Sequence, residues 1–256
     1  METVKLWFET FGDPKGIPLI ILHGFFASSR NWRMVAKELA IHRCVYTVDL
    51  RNHGESPHHT LMDYPSMAAD LLKLMDEHNL TTINLLGHSM GGKVAMWLAL
   101  NHPERIESLM VADIAPVSYQ HSFDNLINAL RSLPLTMIAN RKQAEVFLAD
   151  SIPDLNYRQF LLQNLLLKDN QYQWRINLDV FQKMAANIVA FPDTQHLQSF
   201  LGNALFIAGA DSGYVKAENI INLFPGAQLK YVANAGHWLH VQQPAAFIEQ
   251  LNHFLA

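Results

Sequence analysis

Apolar and polar positions along this chain switch repeatedly between the twofold alternation of strands and the three-to-four spacing of helices. Val4–Phe11 alternates and predicts a first strand, and Gly12-Asp13-Pro14-Lys15-Gly16 supplies the residues of a reversing turn. Pro18–Leu22 is a short unbroken apolar run, the mark of a buried strand, and it leads into His23-Gly24. Trp32, Val35, Ala36 and Leu39 fall on one face of a predicted helix over Trp32–Leu39. A strand at Val45–Asp49 and a Gly- and His-containing loop at Arg51–His59 come next. Tyr64–Asn79 reads as an amphipathic helix carrying Met67, Leu71, Leu74 and Met75 on one face. Then follow a strand at Thr82–Leu86, a helix at Gly91–His102 and a strand at Ser108–Ala112. Two further strands, Ala204–Ala208 and Leu229–Val232, lie much later, and Pro244 opens a last helix from Ala245 to about Phe254.

Short β-rich runs alternating with longer helical ones predict an α/β fold, a parallel sheet covered by helices. Roughly 90 residues of mostly helical pattern separate Ala112 from Ala204, too many for a structureless connection in a compact domain. The expected organisation is therefore an α/β core from 1–117 and 203–256, with 118–202 inserted as a helical lid.

Composition narrows the partners. Half of the residues are apolar and 16% are charged, so a sizeable core is expected and disorder is not. The net charge of −4 offers no basic footprint for nucleic acid. No apolar run reaches the roughly 18 residues of a membrane span, so no stable membrane insertion is expected. The first residues lack the basic start and apolar run of a secretory signal, and Cys44, the single cysteine, excludes an intramolecular disulfide. The cytoplasm is the default expectation, with the chain a monomer or a homodimer.

Against this background one segment carries chemistry. Residues 82–92 run from strand to Gly87-His88-Ser89-Met90-Gly91 and on into a helix. A Gly-x-Ser-x-Gly string arises by chance in on the order of one chain in ten of this length. Here it follows an apolar strand directly and opens a helix, the setting that a strained, exposed nucleophile needs. Glycines flank the serine because side chains would collide in so tight a turn. The helix that follows aims its positive end at developing negative charge.

His23-Gly24-Phe25-Phe26 ends the early buried strand, where a loop can offer a backbone N–H to an oxyanion. Phe25 and Met90, the residue after the nucleophile, are the predicted oxyanion donors through their backbone N–H groups. His237, in Asn234-Ala235-Gly236-His237-Trp238 after the last strand, is the predicted general base. His240 lies on the same segment, while His42, His78, His121 and His196 read as surface residues. A carboxylate must orient the imidazole. Asp113 and Asp211 each follow a strand on the edge that holds Ser89, and topology does not separate them. No metal or organic cofactor is called for, since His237 and His240 lack a third ligand.

His23-Gly24, Asp49-Leu50-Arg51-Asn52-His53-Gly54-Glu55-Ser56, Gly87-His88-Ser89-Met90-Gly91-Gly92 and Gly236-His237 resemble the α/β-hydrolase superfamily along essentially the whole chain. The more specific marker is Asp113-Ile114-Ala115-Pro116-Val117, similar to bacterial YbfF-type esterases and their mitochondrial relatives. The resemblance implies a mostly parallel eight-stranded sheet with a helical lid inserted after the sixth strand. It also bears on the acid. Most members of the superfamily place it three residues beyond a glycine, which from Gly209 is Ser212, so Asp211 is one residue early. YbfF-type esterases are expected to take it from the end of the sixth strand, which maps onto Asp113 and favours it.

The resemblance further implies hydrolysis of acyl esters, with acyl thioesters such as acyl-CoA as an extension. Phe123, Leu126, Phe147, Phe160, Leu161, Trp174, Phe181 and Met184 in the lid offer either packing or an apolar channel. Arg131, Arg141, Lys142, Arg158 and Arg175 offer either a solvated face or contacts to a charged head group. Two alternatives use the same fold: a carbon–carbon bond hydrolase or lyase with the same triad, and a non-catalytic binding protein. The serine argues against relatives that attack with aspartate, the haloalkane dehalogenases and epoxide hydrolases.

Overall fold

The structure, a computed structural model, describes residues 2–256. Its strands are β1 (Trp7–Phe11), β2 (Leu19–Leu22), β3 (Val45–Asp49), β4 (Ile83–His88), β5 (Ile106–Ala112), β6 (Leu165–Lys168), β7 (Gln171–Trp174), β8 (Asn203–Gly209) and β9 (Gln228–Val232). The helices are α1 (Arg33–Leu39), α2 (Tyr64–Glu77), α3 (Met90–Asn101), α4 (Asp124–Arg131), α5 (Arg141–Phe147), α6 (Leu155–Leu162), α7 (Leu178–Val189), α8 (Leu239–Gln242) and α9 (Pro244–Phe254). The main sheet runs β1-β3-β2-β4-β5-β8-β9, with β1 antiparallel to β3 and every other pairing parallel.

Seven strands make this sheet, not the eight that the resemblance implies, and the long insertion accordingly follows β5 rather than a sixth strand. Only one strand forms ahead of β2. It starts at Trp7 instead of Val4, and backbone donors at both positions bond side chains outside the sheet. The Val4 N–H is held by Asp70 Oδ1 at 2.7 Å and the Trp7 N–H by Ser56 Oγ at 2.8 Å. The insertion is also not all helix: β6 and β7 form an antiparallel hairpin. Asp169 and Asn170 turn it with φ of 49° and 60°, the left-handed pair that a two-residue turn demands.

Covered on both faces, the central strands read as apolar runs. Leu19 and Ile21 of β2 pack with Trp32, Phe247 and Leu251 on the side of α1 and α9. Ile20 and Leu22 face the opposite way, into the cluster that includes Met67, Val94 and Phe181. The period of two therefore feeds two cores from one strand. Asp63 caps α2, its side chain accepting the Ser66 N–H at 2.8 Å, and Pro65 sits in the first turn.

Arg51 and Asp70 pair face to face in the interior, Nε to Oδ2 at 2.6 Å and Nη2 to Oδ1 at 2.7 Å. Removing one partner of so buried a pair costs about 3–5 kcal/mol. The pair ties the loop after β3 to α2.

The order β3-β2-β4 places the reversal of strand direction of travel between β2 and β4. Loops leaving the carboxyl ends of those two strands border the crevice where open α/β sheets bind ligands.

Candidate active site

β4 extends two residues beyond its predicted end, through Gly87 and His88, and delivers the chain to Ser89. Ser89 has φ 52° and ψ −119°, a conformation that costs a non-glycine residue about 1–3 kcal/mol. Its N–H is tied to the Ala112 carbonyl at 3.1 Å. The flanking glycines are sterically required: a Cβ on Gly87 would lie 2.2 Å from the Gly91 carbonyl oxygen, and one on Gly91 would lie 2.6 Å from that of Leu22.

Ser89 Oγ lies 3.0 Å from His237 Nε2, and His237 Nδ1 lies 2.7 Å from Asp113 Oδ2. Asp113 is fully buried at the end of β5, with φ 50°. Its carboxylate is met by three donors: His237, the Gly209 N–H at 2.9 Å and Ser212 Oγ at 2.5 Å. Asp211 is solvent-exposed, and its backbone N–H bonds the Ala235 carbonyl at 2.9 Å. The structure thus brings Asp113, and not Asp211, to the imidazole.

The loop after β2 passes beside the serine; a Cβ on Gly24 would sit 3.3 Å from Ser89 Cβ. Phe25 and Met90 both line the cavity above Ser89. Among the described residues neither backbone N–H has a hydrogen-bond acceptor, so both remain free for an oxyanion. His23 braces this loop. Its Nδ1–H donates to the Gly24 carbonyl at 2.8 Å and its Nε2 accepts the Leu50 N–H at 3.0 Å, fixing the neutral tautomer. Burial pushes its pKa down, against the pull of the Asp49 carboxylate.

The cavity measures about 590 Å³ and is walled largely by aromatic side chains, among them Phe25, Phe123, Phe160, Tyr157 and Trp238. Phe123 and Phe160 come from the insertion, whereas Phe181 is buried against Phe25 and Phe26. Phe147 is exposed and outside the cavity.

Several residues make contacts at this site that the sequence did not assign to them. Ser212, three residues past Gly209, donates its hydroxyl to Asp113 Oδ2 at 2.5 Å. Tyr214 stacks on His237 at 4.3 Å between ring centroids. His88 donates from Nε2 to the His237 carbonyl at 2.8 Å, and His240 stacks on Trp32 at 4.2 Å. Burial holds the pKa of His88 well below its ordinary value and that of His240 at about 3. His121, read as a surface residue, is exposed yet lines the cavity. Lys93 lies on the cavity wall with 1% of its surface exposed. Its Nζ donates to the Val189 and Ala190 carbonyls at 2.8 and 2.7 Å and lies 4.8 Å from the Tyr119 ring centroid. Desolvation pulls its pKa down to about 7. A lysine inside the apolar run of α3 was the available signal. Among the described residues no group of three or more His, Cys, Asp or Glu is arranged to hold a metal, and no helix is long and apolar enough to cross a membrane.

The family profile described as alpha/beta hydrolase fold matches residues 17–244. The chain belongs to that family. Within the α/β-hydrolases it is homologous to proteins named as esterases and lipases. It is 32% identical to the esterase YbfF of Escherichia coli, over 93% of this chain and 92% of that one. It is 37% identical to the sn-1-specific diacylglycerol lipase ABHD11 of Xenopus tropicalis, over 99% of this chain and 83% of that one. Among solved structures, a marine microorganism esterase superposes with a TM-score of 0.94 at 40% identity, covering 98% of this chain and all of the other. The YbfF-type resemblance read from Asp113–Val117 thus extends over 93% of the chain.

Proposed function

We propose that this α/β-hydrolase is a serine carboxylesterase that cleaves acyl esters or thioesters of small molecules through an acyl-enzyme on Ser89. The carrying observation is the continuous chain of contacts from Ser89 Oγ through His237 to the buried Asp113, at 3.0 and 2.7 Å. His237 Nε2 takes the Ser89 proton as Oγ attacks the acyl carbon, and Asp113 keeps the other imidazole proton on Nδ1. The tetrahedral oxyanion forms against the N–H groups of Phe25 and Met90, each such donor contributing about 3–4 kcal/mol to the barrier reduction. The protonated imidazole then returns its proton to the departing alcohol or thiol. Water repeats the sequence on the acyl-enzyme and releases the acid. No cofactor enters either half.

Residues 118–202 act in this reading as a lid whose Phe123 and Phe160 wall an apolar acyl group. The aromatic cavity supports that choice, since an acyl chain gains roughly 0.8 kcal/mol per buried methylene. The test is labelling by a fluorophosphonate probe together with rates on p-nitrophenyl esters and acyl-CoAs of graded length. The native protein is expected to label and Ser89→Ala to stay unlabelled. Absence of labelling, or equal labelling of both, would sink the reading.

A further inference from the structure

Beside the aromatic cavity lies a second one, of about 210 Å³, at the seam between core and insertion. Three guanidinium groups line it: Arg30 from the segment before α1, Arg141 at the start of α5, and Arg175 just after β7. Asn31 and Gln163 line both cavities, and their side chains bond to each other across the seam at 3.0 Å. The two spaces therefore share a wall made by this side-chain hydrogen bond and Phe26.

The charge in this second cavity is poorly balanced. Among the described residues Glu55 alone reaches these arginines at contact distance, 3.0 Å from Arg30 and 3.6 Å from Arg175, and it is shared between them. The nearby Asp49 carboxylate is committed to the backbone, accepting the Ser29 N–H at 2.7 Å and the Glu55 N–H at 2.9 Å. Arg141 spends Nε and Nη2 on the Leu165 carbonyl and meets no carboxylate among the described residues. Arg175 has 9% of its side chain exposed, and its buried Nε has no partner. Burial lowers the pKa of Arg175, and the positive charges of Arg30 and Arg141 lower it further, against Glu55 and Asp49. Folding has gathered like charges around one cavity, with a single carboxylate shared between two of them. An anion with several acceptor oxygens would balance that charge.

The geometry points to Arg30, Arg141 and Arg175 as a subsite for a phosphate group carried on the alcohol or thiol part of the substrate. Guanidinium forks match phosphate oxygens in pairs, and a charge-assisted bond in a partly desolvated cleft is stronger than one in water. The acyl group occupies the aromatic cavity while the phosphate reaches across the Asn31–Gln163 bond. This assignment rests on the reading of Ser89 as the nucleophile, and it adds the class of leaving group that the enzyme selects. The phosphate belongs either to a nucleotide-linked thiol or to a phosphorylated glycerol, two sources with the same recognition chemistry.

Matched substrates separate the sources. Butyryl-CoA is compared with butyryl-pantetheine, the same thioester arm without the phosphorylated nucleotide, and 1-butyryl-glycerol 3-phosphate with monobutyrin. In at least one pair the phosphorylated member is expected to show a KM about tenfold lower, equivalent to about 1.4 kcal/mol. Arg30→Gln and Arg141→Gln should each erase most of that advantage without changing kcat or KM for the neutral member. Added salt should weaken it in the same direction. Equal KM within both pairs, or equal damage to both members, overturns the subsite. Calorimetric binding of CoA and of glycerol 3-phosphate to Ser89→Ala keeps the test independent of turnover. Binding that falls about tenfold in Ser89→Ala/Arg141→Gln supports the subsite, and binding of neither probe overturns it. Failure to hydrolyse p-nitrophenyl butyrate would instead refute the esterase reading.

Discussion

Replacing Asp113 with asparagine isolates the charge and the proton pattern of the proposed acid without changing its size. Asp113 Oδ2 accepts from His237 Nδ1 at 2.7 Å and from Ser212 Oγ at 2.5 Å, while Oδ1 accepts the Gly209 N–H at 2.9 Å. An amide has one acceptor and one donor face. If its oxygen stays with Gly209, its NH2 confronts His237 and turns the imidazole to the tautomer protonated at Nε2. That tautomer cannot accept the Ser89 proton. If it flips, two donors, the Gly209 N–H and the amide, meet in a fully buried site. Both arrangements also remove the negative charge that steadies the imidazolium. Such a change in a serine triad lowers kcat by about 10⁴, or about 5.5 kcal/mol at 1.36 kcal/mol per tenfold. Asp211 is exposed and touches none of these atoms, so Asp211→Asn is expected to stay within about twofold of the parent. The assay is kcat on p-nitrophenyl butyrate, with thermal unfolding to show that both variants fold. An Asp113→Asn enzyme within tenfold of wild type, or one outperformed in damage by Asp211→Asn, would refute the assignment.

Ser212→Ala removes one of three donors to the Asp113 carboxylate, and kcat on the same ester should fall by about three- to tenfold, near 1 kcal/mol, with KM unchanged. An unchanged kcat would mean that the hydroxyl only fills space. Lys93 is held near pKa 7 in the fold against an ordinary 10.5, so between those values the unfolded chain binds more protons. Stability should accordingly rise with pH above about 7 and be flat below it, by on the order of 1–2 kcal/mol up to pH 9. Lys93→Met should lose that rise; a variant whose melting temperature tracks wild type across pH 7–9 would contradict it.

What the sequence displayed and what it hid have different physical origins. Ser89, His237 and the strands around them were legible because each needs a local signature. A strained turn needs its glycines, and a strand buried on both faces needs an unbroken apolar run such as Leu19–Leu22. The ends of elements were less legible, as with β1, because they depend on which distant group takes a backbone donor. The hairpin of β6 and β7 was missed inside a helical pattern although Asp169-Asn170 marks its turn, since its strands are only four residues each and half exposed. The buried histidines at 23, 53, 88 and 240 carry no sequence mark that separates them from the exposed ones. Their protonation is a product of burial, and burial is set by packing.

The acid shows most clearly how a site is specified in space. Asp113 and Ser212 lie 99 positions apart, yet their side chains meet at 2.5 Å. They meet because β5 and β8 run side by side in parallel, Ala112 paired with Ile207, so both strands end at one edge. A carboxylate at either strand end can reach His237 if the backbone turns it inward. The left-handed φ of 50° at Asp113 makes that turn on β5, and the Asp113 N–H, bonded to the Ile207 carbonyl at 2.9 Å, locks it. Once the carboxylate sits there, a second one three residues past Gly209 would place like charges within contact distance of each other in a buried site. A hydroxyl avoids that repulsion and supplies a donor. Ser212 is therefore the expected companion of an acid on β5, and the pairing of Asp113 with a neutral donor at 212 is a single physical solution written at two distant positions.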